Sequence, residues 1–172
     1  AATAAPPVAS AAVPATASEP TATRSAGRPV SYFNEGYPGR NSQGFAWCGA
    51  WAVRHLRPEV ALTQTWSQNE PWTHDMAGLS FARAITLADL VRRPGGVPVL
   101  LTAAPVFADR PDAEVHRRRN VDLVRGAARQ GMPILDLDAL WGTGSVPNGY
   151  RPEFGVGDGM HPSNEGCHAA AL

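Results

Sequence analysis

The sequence predicts an α/β domain built on a parallel sheet covered on both faces by helices. Three observations predict it. Short apolar runs alternate with helical-length segments from Val30 onward. One run, Val97 to Ala104, is almost wholly apolar, the pattern of a strand buried on both faces. The helical segments are closed by Pro or Gly, at Arg57-Pro58, Pro94-Gly95-Gly96 and Gly131.

Taken in order, residues 1–27 are Ala, Pro, Thr and Ser with almost no charge, a low-complexity or linker composition. They fit a spacer or the tail of a secretory signal, although no charged n-region or apolar h-region is present. The globular part runs from 28 to 172. Val30 to Asn34 is an apolar-aromatic run ending in turn residues, a strand. Ser42 to Leu56 is a helix, with Phe45, Cys48, Trp51, Ala52 and His55 recurring at helical spacing as its apolar face. Val60 to Trp66 is the next strand. Gly78 to Arg93 is a helix on Leu79, Ala82, Ile85, Leu87 and Leu90. Val97 to Ala104 is a strand, and Asp112 to Gln130 a helix closed by Gly131 as its C′ glycine. On it, His116 and Arg117 to Arg119 read as a solvated face. Met132 to Leu137 is a further strand. A Gly- and Pro-rich loop leads to Asp158, and Asn164 opens a helix cut short at Leu172.

Composition narrows the function. Across 172 residues the formal charge is zero and every base is Arg, so no broad basic surface points to nucleic acid. No apolar run is long enough to span a bilayer. Cys48 and Cys167 lie far apart and read as free small hydrophobes. His and Cys are too scattered for a zinc site, and neither a phosphate loop with Lys nor a dinucleotide fingerprint occurs, so no metal or cofactor is expected. Trp47, Trp66 and Trp72 read as core or partly buried packing.

The chemistry concentrates at Gly157-Asp158-Gly159-Met160-His161-Pro162-Ser163. Glycines flank the Asp, and Pro162 biases His161 away from the helical region. The segment therefore sets a carboxylate and an imidazole in a fixed, non-helical relation, as an acid/base pair requires. Ser163 can cap the helix from Asn164. In a parallel sheet this loop falls at the carboxyl ends of the strands, where ligands sit. Two further loops share that edge. Asn34 to Ser42 carries Gly39, whose N–H can face a ligand, and Trp66 to Pro71 carries Asn69, an amide donor. A backbone N–H and an Asn amide together make a workable oxyanion hole.

In this order and topology, these three segments resemble the blocks of the SGNH (GDSL) hydrolase superfamily. Asn34 to Gly39 looks like its second block, Ser67 to Glu70 like its third, and Asp158 to Pro162 like its fourth. The resemblance implies a three-layer α/β/α flavodoxin-like sandwich whose first strand is here missing or degenerate. It also implies a serine ester hydrolase acting on small esters or acylated carbohydrate. In that scheme His161 is the general base, Asp158 its orienter, and Gly39 and Asn69 the oxyanion donors; His74, on the third-block loop, is a candidate substrate contact. The departures are specific. Ser67 and Glu70 stand where the family has Gly and Asp, and no Gly-Asp-Ser occurs. The family spacing places the nucleophile in the Ala/Pro stretch, at Ser10, where Pro6, Pro7 and Pro14 oppose a central strand. With the last helix also short, the chain reads as a fragment or as having a damaged N-terminal region. The alternative is a binding module or pseudoenzyme that keeps the pocket without the nucleophile. A receiver or flavodoxin is disfavoured, since neither an acidic cluster at the first strand nor a phosphate loop is present.

Overall fold

The computed structural model describes residues 24–25, 28–29, 41–66, 76–105, 111–144, 149–158 and 161–171. The chain divides into two units, Ala1–Asn34 and Glu35–Leu172. In the first, β1 (Arg24–Ser25) pairs antiparallel with β2 (Arg28–Pro29). The expected strand at Val30 to Asn34 lies outside the described residues.

The second unit holds α1 (Ser42–Leu56), β3 (Val60–Gln64), α2 (Met76–Arg92), β4 (Val97–Leu101), α3 (Pro111–Ala128), β5 (Ile134–Leu135), α4 (Leu137–Trp141) and α5 (Asn164–Ala171). The three strands form one sheet in the order β3-β4-β5, and both pairings are parallel. The βαβ reading of the sequence therefore holds. Leu100, fully buried, packs with Ala84 and Ala88 of α2, Val124 of α3 and Met132. Trp66, Met76, Ala77, Ala103 and Val121 make a second cluster beside it. The opposite face of β3 and β4 is open: Val60, Leu62 and Val97 are 58, 61 and 46% exposed.

Several elements are shorter than their sequence runs, for identifiable reasons. β3 stops at Gln64 and β4 at Leu101, and the hydroxyls of the next residues, Thr65 and Thr102, bond Asn120 and Asp136. Thr65 Oγ1 lies 2.7 Å from Leu101 O and 2.9 Å from Asn120 Oδ1, and Asn120 Nδ2 donates to Thr65 O at 3.0 Å. The predicted strand at Met132 to Leu137 is only Ile134–Leu135. Asp136 ends it by capping α4, its carboxylate accepting from Ala139 N at 3.0 Å.

Two side-chain expectations are corrected. On α1 the buried residues include Ser42 and Ala52, whereas Trp51 and His55 face solvent and Trp47 is 76% exposed. Gly49 is what turns that helix inward, since a Cβ there would sit 3.3 Å from Leu87 of α2. The N-cap of α1 is Asn41, which accepts from Gly44 N at 3.1 Å; Ser42 instead receives bonds from Ser80 and Arg83 of α2. Finally, Arg117 is not part of a solvated face. It is 4% exposed, forks onto Glu114 (2.8 and 3.0 Å) and reaches Asp138 at 2.5 Å. Arg125 extends the network to Asp136 (2.7 Å) and Asp138 (3.0 Å), tying α3 to α4.

Candidate active site

The segment after α4 is fastened before it reaches Asp158. Arg151 N donates to Trp141 O at 2.8 Å and Thr143 N to Gly149 O at 3.0 Å, around an antiparallel bridge between Gly142 and Tyr150. A second bridge pairs Gly155 with Pro162, with Val156 N donating to His161 O (3.2 Å) and Ser163 N to Phe154 O (2.7 Å). The two bridged stretches thus bring Val156 to Asp158 close to His161. Gly157 turns this backbone at φ +88°, a conformation that L side chains rarely adopt.

Asp158 grips His161 twice. Asp158 Oδ1 accepts the His161 backbone N–H at 2.9 Å, and Oδ2 lies 2.6 Å from His161 Nδ1. An ionised carboxylate only accepts, so Nδ1 carries the proton and Nε2 presents a lone pair. That is the tautomer a general base needs. The two side chains are 44 and 67% exposed, so the pair is open to a reactant but also to water, which weakens its field.

The bridged segment rests on α5. Ser163 caps that helix, accepting from Gly166 N at 3.1 Å, and ties back by donating to Glu153 O at 2.8 Å. Trp141 Nε1 donates to Gly166 O at 2.8 Å, and the Trp141 ring lies 5.8 Å from that of Tyr150. Two glycines allow this closeness. A Cβ on Gly166 would fall 2.6 Å from Phe154 O, and one on Gly155 2.8 Å from the Tyr150 side chain. Burial, then the nearby Asp158 carboxylate, then Cys167, push the Tyr150 hydroxyl up to about 12, so it stays protonated.

Of the residues singled out in the sequence, the structure joins Asp158 and His161. Ser10, Gly39, Asn69 and His74 lie outside the described residues. Among the described residues no group of His, Cys, Asp and Glu is arranged to hold a metal, and Cys48 and Cys167 are free thiols. No helix among the described residues is long and apolar enough to cross a membrane. Sequence reasoning missed the support: Trp141, Tyr150, Gly155 and Gly166. The available signal was glycine, placed beside an aromatic at 155 and inside a helix at 166, where its low helix propensity has to be offset by a close contact.

No family model and no curated protein matches the chain. Among solved structures it is similar to a GDSL-like lipase from Bacteroides thetaiotaomicron, with a TM-score of 0.64 and 19% identity, covering 78% of this chain and 69% of that one. It is also similar to a Bacteroides fragilis protein described as a putative acylhydrolase, with a TM-score of 0.61 and 20% identity, covering 76% and 66%. At such identities the likeness is one of fold, a flavodoxin-like α/β architecture shared over about two thirds of each neighbour.

Proposed function

We propose that this chain is a serine ester hydrolase of the SGNH/GDSL type, acting on small esters or on acyl groups carried by carbohydrate. The observation that carries the reading is the double grip of Asp158 on His161, in a bridged segment within a parallel α/β fold. The structural likeness to hydrolases supports it. In the reaction, His161 Nε2 removes the proton of a serine hydroxyl as its oxygen adds to the ester carbonyl. The Gly39 N–H and the Asn69 amide hold the resulting oxyanion. His161 then returns the proton to the departing alcohol, leaving an acyl-serine. Water attacks that ester, again deprotonated by His161, which then returns the proton to the serine oxygen as the C–O bond breaks and the acid is released. Asp158 keeps Nδ1 protonated and stabilises the imidazolium throughout. No cofactor enters.

One observation favours a second reading. The sequence holds no Gly-Asp-Ser, and Ser10 lies among prolines. By that reading the chain is a binding module that keeps the fold and the Asp158–His161 pair without turnover. A short-chain nitrophenyl ester assay combined with a serine-directed phosphonate separates the two. The enzyme reading expects turnover and labelling on a peptide preceding residue 45, with Ser10→Ala removing both if Ser10 is the nucleophile. A folded chain that neither turns over nor labels supports the module.

A further inference from the structure

The proposed chemistry gives Tyr150 no role, yet the supports of the Asp158–His161 pair meet at this residue. Its backbone bridges Gly142 at the end of α4. Its ring lies 5.8 Å from that of Trp141, which in turn donates to Gly166 O of α5 at 2.8 Å. Its side chain also presses on Gly155, where a Cβ would fall 2.8 Å from Tyr150 Cβ and 3.3 Å from Cγ. An approach that close is open only to glycine. Gly155 is bridged to Pro162, with Val156 N donating to His161 O and Ser163 N to Phe154 O. The Tyr150 side chain therefore sets how far this backbone stands from α4, and Asp158 follows it with only Val156 and Gly157 between. The Asp158 carboxylate and Cys167 of α5 both push the Tyr150 hydroxyl up, so the far end of the ring lies near both.

We propose that Tyr150 is a positioning residue for the Asp158–His161 pair: its ring, packed with Trp141, fixes the Gly155 backbone and through it the carboxylate that selects the His161 tautomer. The local turn brings the two residues together, and the ring keeps them in one register. The margin is small. Asp158 Oδ2 is 2.6 Å from His161 Nδ1, so a retreat of about 1 Å leaves a separation of about 3.6 Å, which is no hydrogen bond. An imidazole 67% exposed and released from that carboxylate is hydrated at both nitrogens, and its tautomer is no longer fixed. The ring does the holding, not the hydroxyl. The hydroxyl stays neutral and brings no second negative charge to Asp158, so a phenyl ring can take its place. The catalytic consequence rests on the hydrolase reading; the tautomer does not.

The test is a long-range proton–nitrogen correlation spectrum of the His161 ring, taken where the imidazole is neutral, which reads the tautomer without turnover. The native chain should show His161 mainly in the Nδ1–H form. Tyr150→Ala should return it to a mixture dominated by Nε2–H, with circular dichroism unchanged. Gly155→Ala should do the same, because its methyl meets the Tyr150 side chain. Tyr150→Phe should keep the native tautomer. So should Leu87→Ala, a truncation between α1 and α2 that lowers stability away from the pair. If the chain hydrolyses esters, Tyr150→Ala should lower kcat about 10²-fold, the scale of a 1 Å misplacement, while Tyr150→Phe stays near native. Absence of turnover in the native chain would count against the hydrolase reading alone. A native tautomer in Tyr150→Ala, its loss in Tyr150→Phe, or an equal loss in Leu87→Ala would overturn the proposal. So would a native His161 that is already a mixture.

Discussion

Replacing Arg117 by Met should destabilise the chain by about 3 kcal/mol at pH 7. Arg117 is 4% exposed, and its partners Glu114 and Asp138 are each 12% exposed in their side chains. Removing one member of a buried ion pair costs about 3–5 kcal/mol, because a charge is left buried without its partner. Here each carboxylate keeps a second arginine, Arg118 at 2.8 Å and Arg125 at 3.0 Å. Those arginines are 46 and 37% exposed and well hydrated, so they hold the loss to the lower end of that range. For a chain of this size the loss corresponds to a fall of about 6–12 °C in Tm.

The same substitution carries a pH signature. Burial pushes the Glu114 carboxyl up, but hydrogen bonds from Arg117 and Arg118 outweigh it and hold Glu114 below the ordinary 4.5. Asp136 is likewise held below 3.8, the bonds from Arg125 and Ala139 N outweighing burial. A depressed carboxyl contributes stability above its unfolded pKa and loses it as pH falls through the folded one. Native stability should therefore fall in acid, below about pH 4.5 for the Glu114 part. Without Arg117 that part is smaller, so the gap between native and variant should narrow there. Urea unfolding across this range measures it, with Arg118→Met as a control expected to cost less than about 1 kcal/mol. An Arg117→Met cost below about 1 kcal/mol at pH 7, or a gap that persists unchanged in acid, would refute the buried-pair reasoning.

Gly166→Ala should destabilise by about 1–2 kcal/mol, since overpacking against Phe154 O outweighs the gain in helix propensity; the shift in urea midpoint measures it. If the chain turns over esters, Asp158→Asn should lower kcat by about 10⁴ through loss of the carboxylate that orients His161 and stabilises its charged form. Steady-state kinetics on a nitrophenyl ester reads this, and a fall below tenfold would remove Asp158 from the mechanism. Asn69→Ala should lower kcat by about 10²–10³ with KM little changed, because its donor acts on the developing oxyanion.

What was legible in the sequence had a local cause. Helix α1 spans Ser42–Leu56, as its spacing predicts, because the tripeptide Asn-Ser-Gln can cap it and Arg57-Pro58 must end it. The Asp158–His161 pair was readable because three residues and a positive-φ glycine decide its geometry. The illegible parts depend on what lies opposite. Arg117 to Asn120 is an unbroken polar run, yet Arg117 and Asn120 are buried because α4 brings Asp138 and the residue after β3 is Thr65. Periodicity predicts that Trp51 and His55 face inward, but Gly49 against Leu87 fixes the opposite face of α1 toward α2. α4 went unread because Leu137 continues an apolar run in which only the Asp136 cap marks a change.

The segment that carries Asp158 and His161 has a consequence for how such a site can come together. Its two members are three residues apart, so ordering them closes almost no chain. Recruiting a group from the N-terminal region would close a loop some fifty times longer, at an added entropic cost of roughly 3 kcal/mol. On the proposed reading the base is thus assembled by its own short segment, whether or not its reaction partner has arrived. On that reading the geometry of the acid/base pair is local to its own segment and does not depend on where the nucleophile comes from. A sharp, downfield Nδ1 proton from His161 would therefore report that the pair is formed, and would say nothing of whether the chain catalyses.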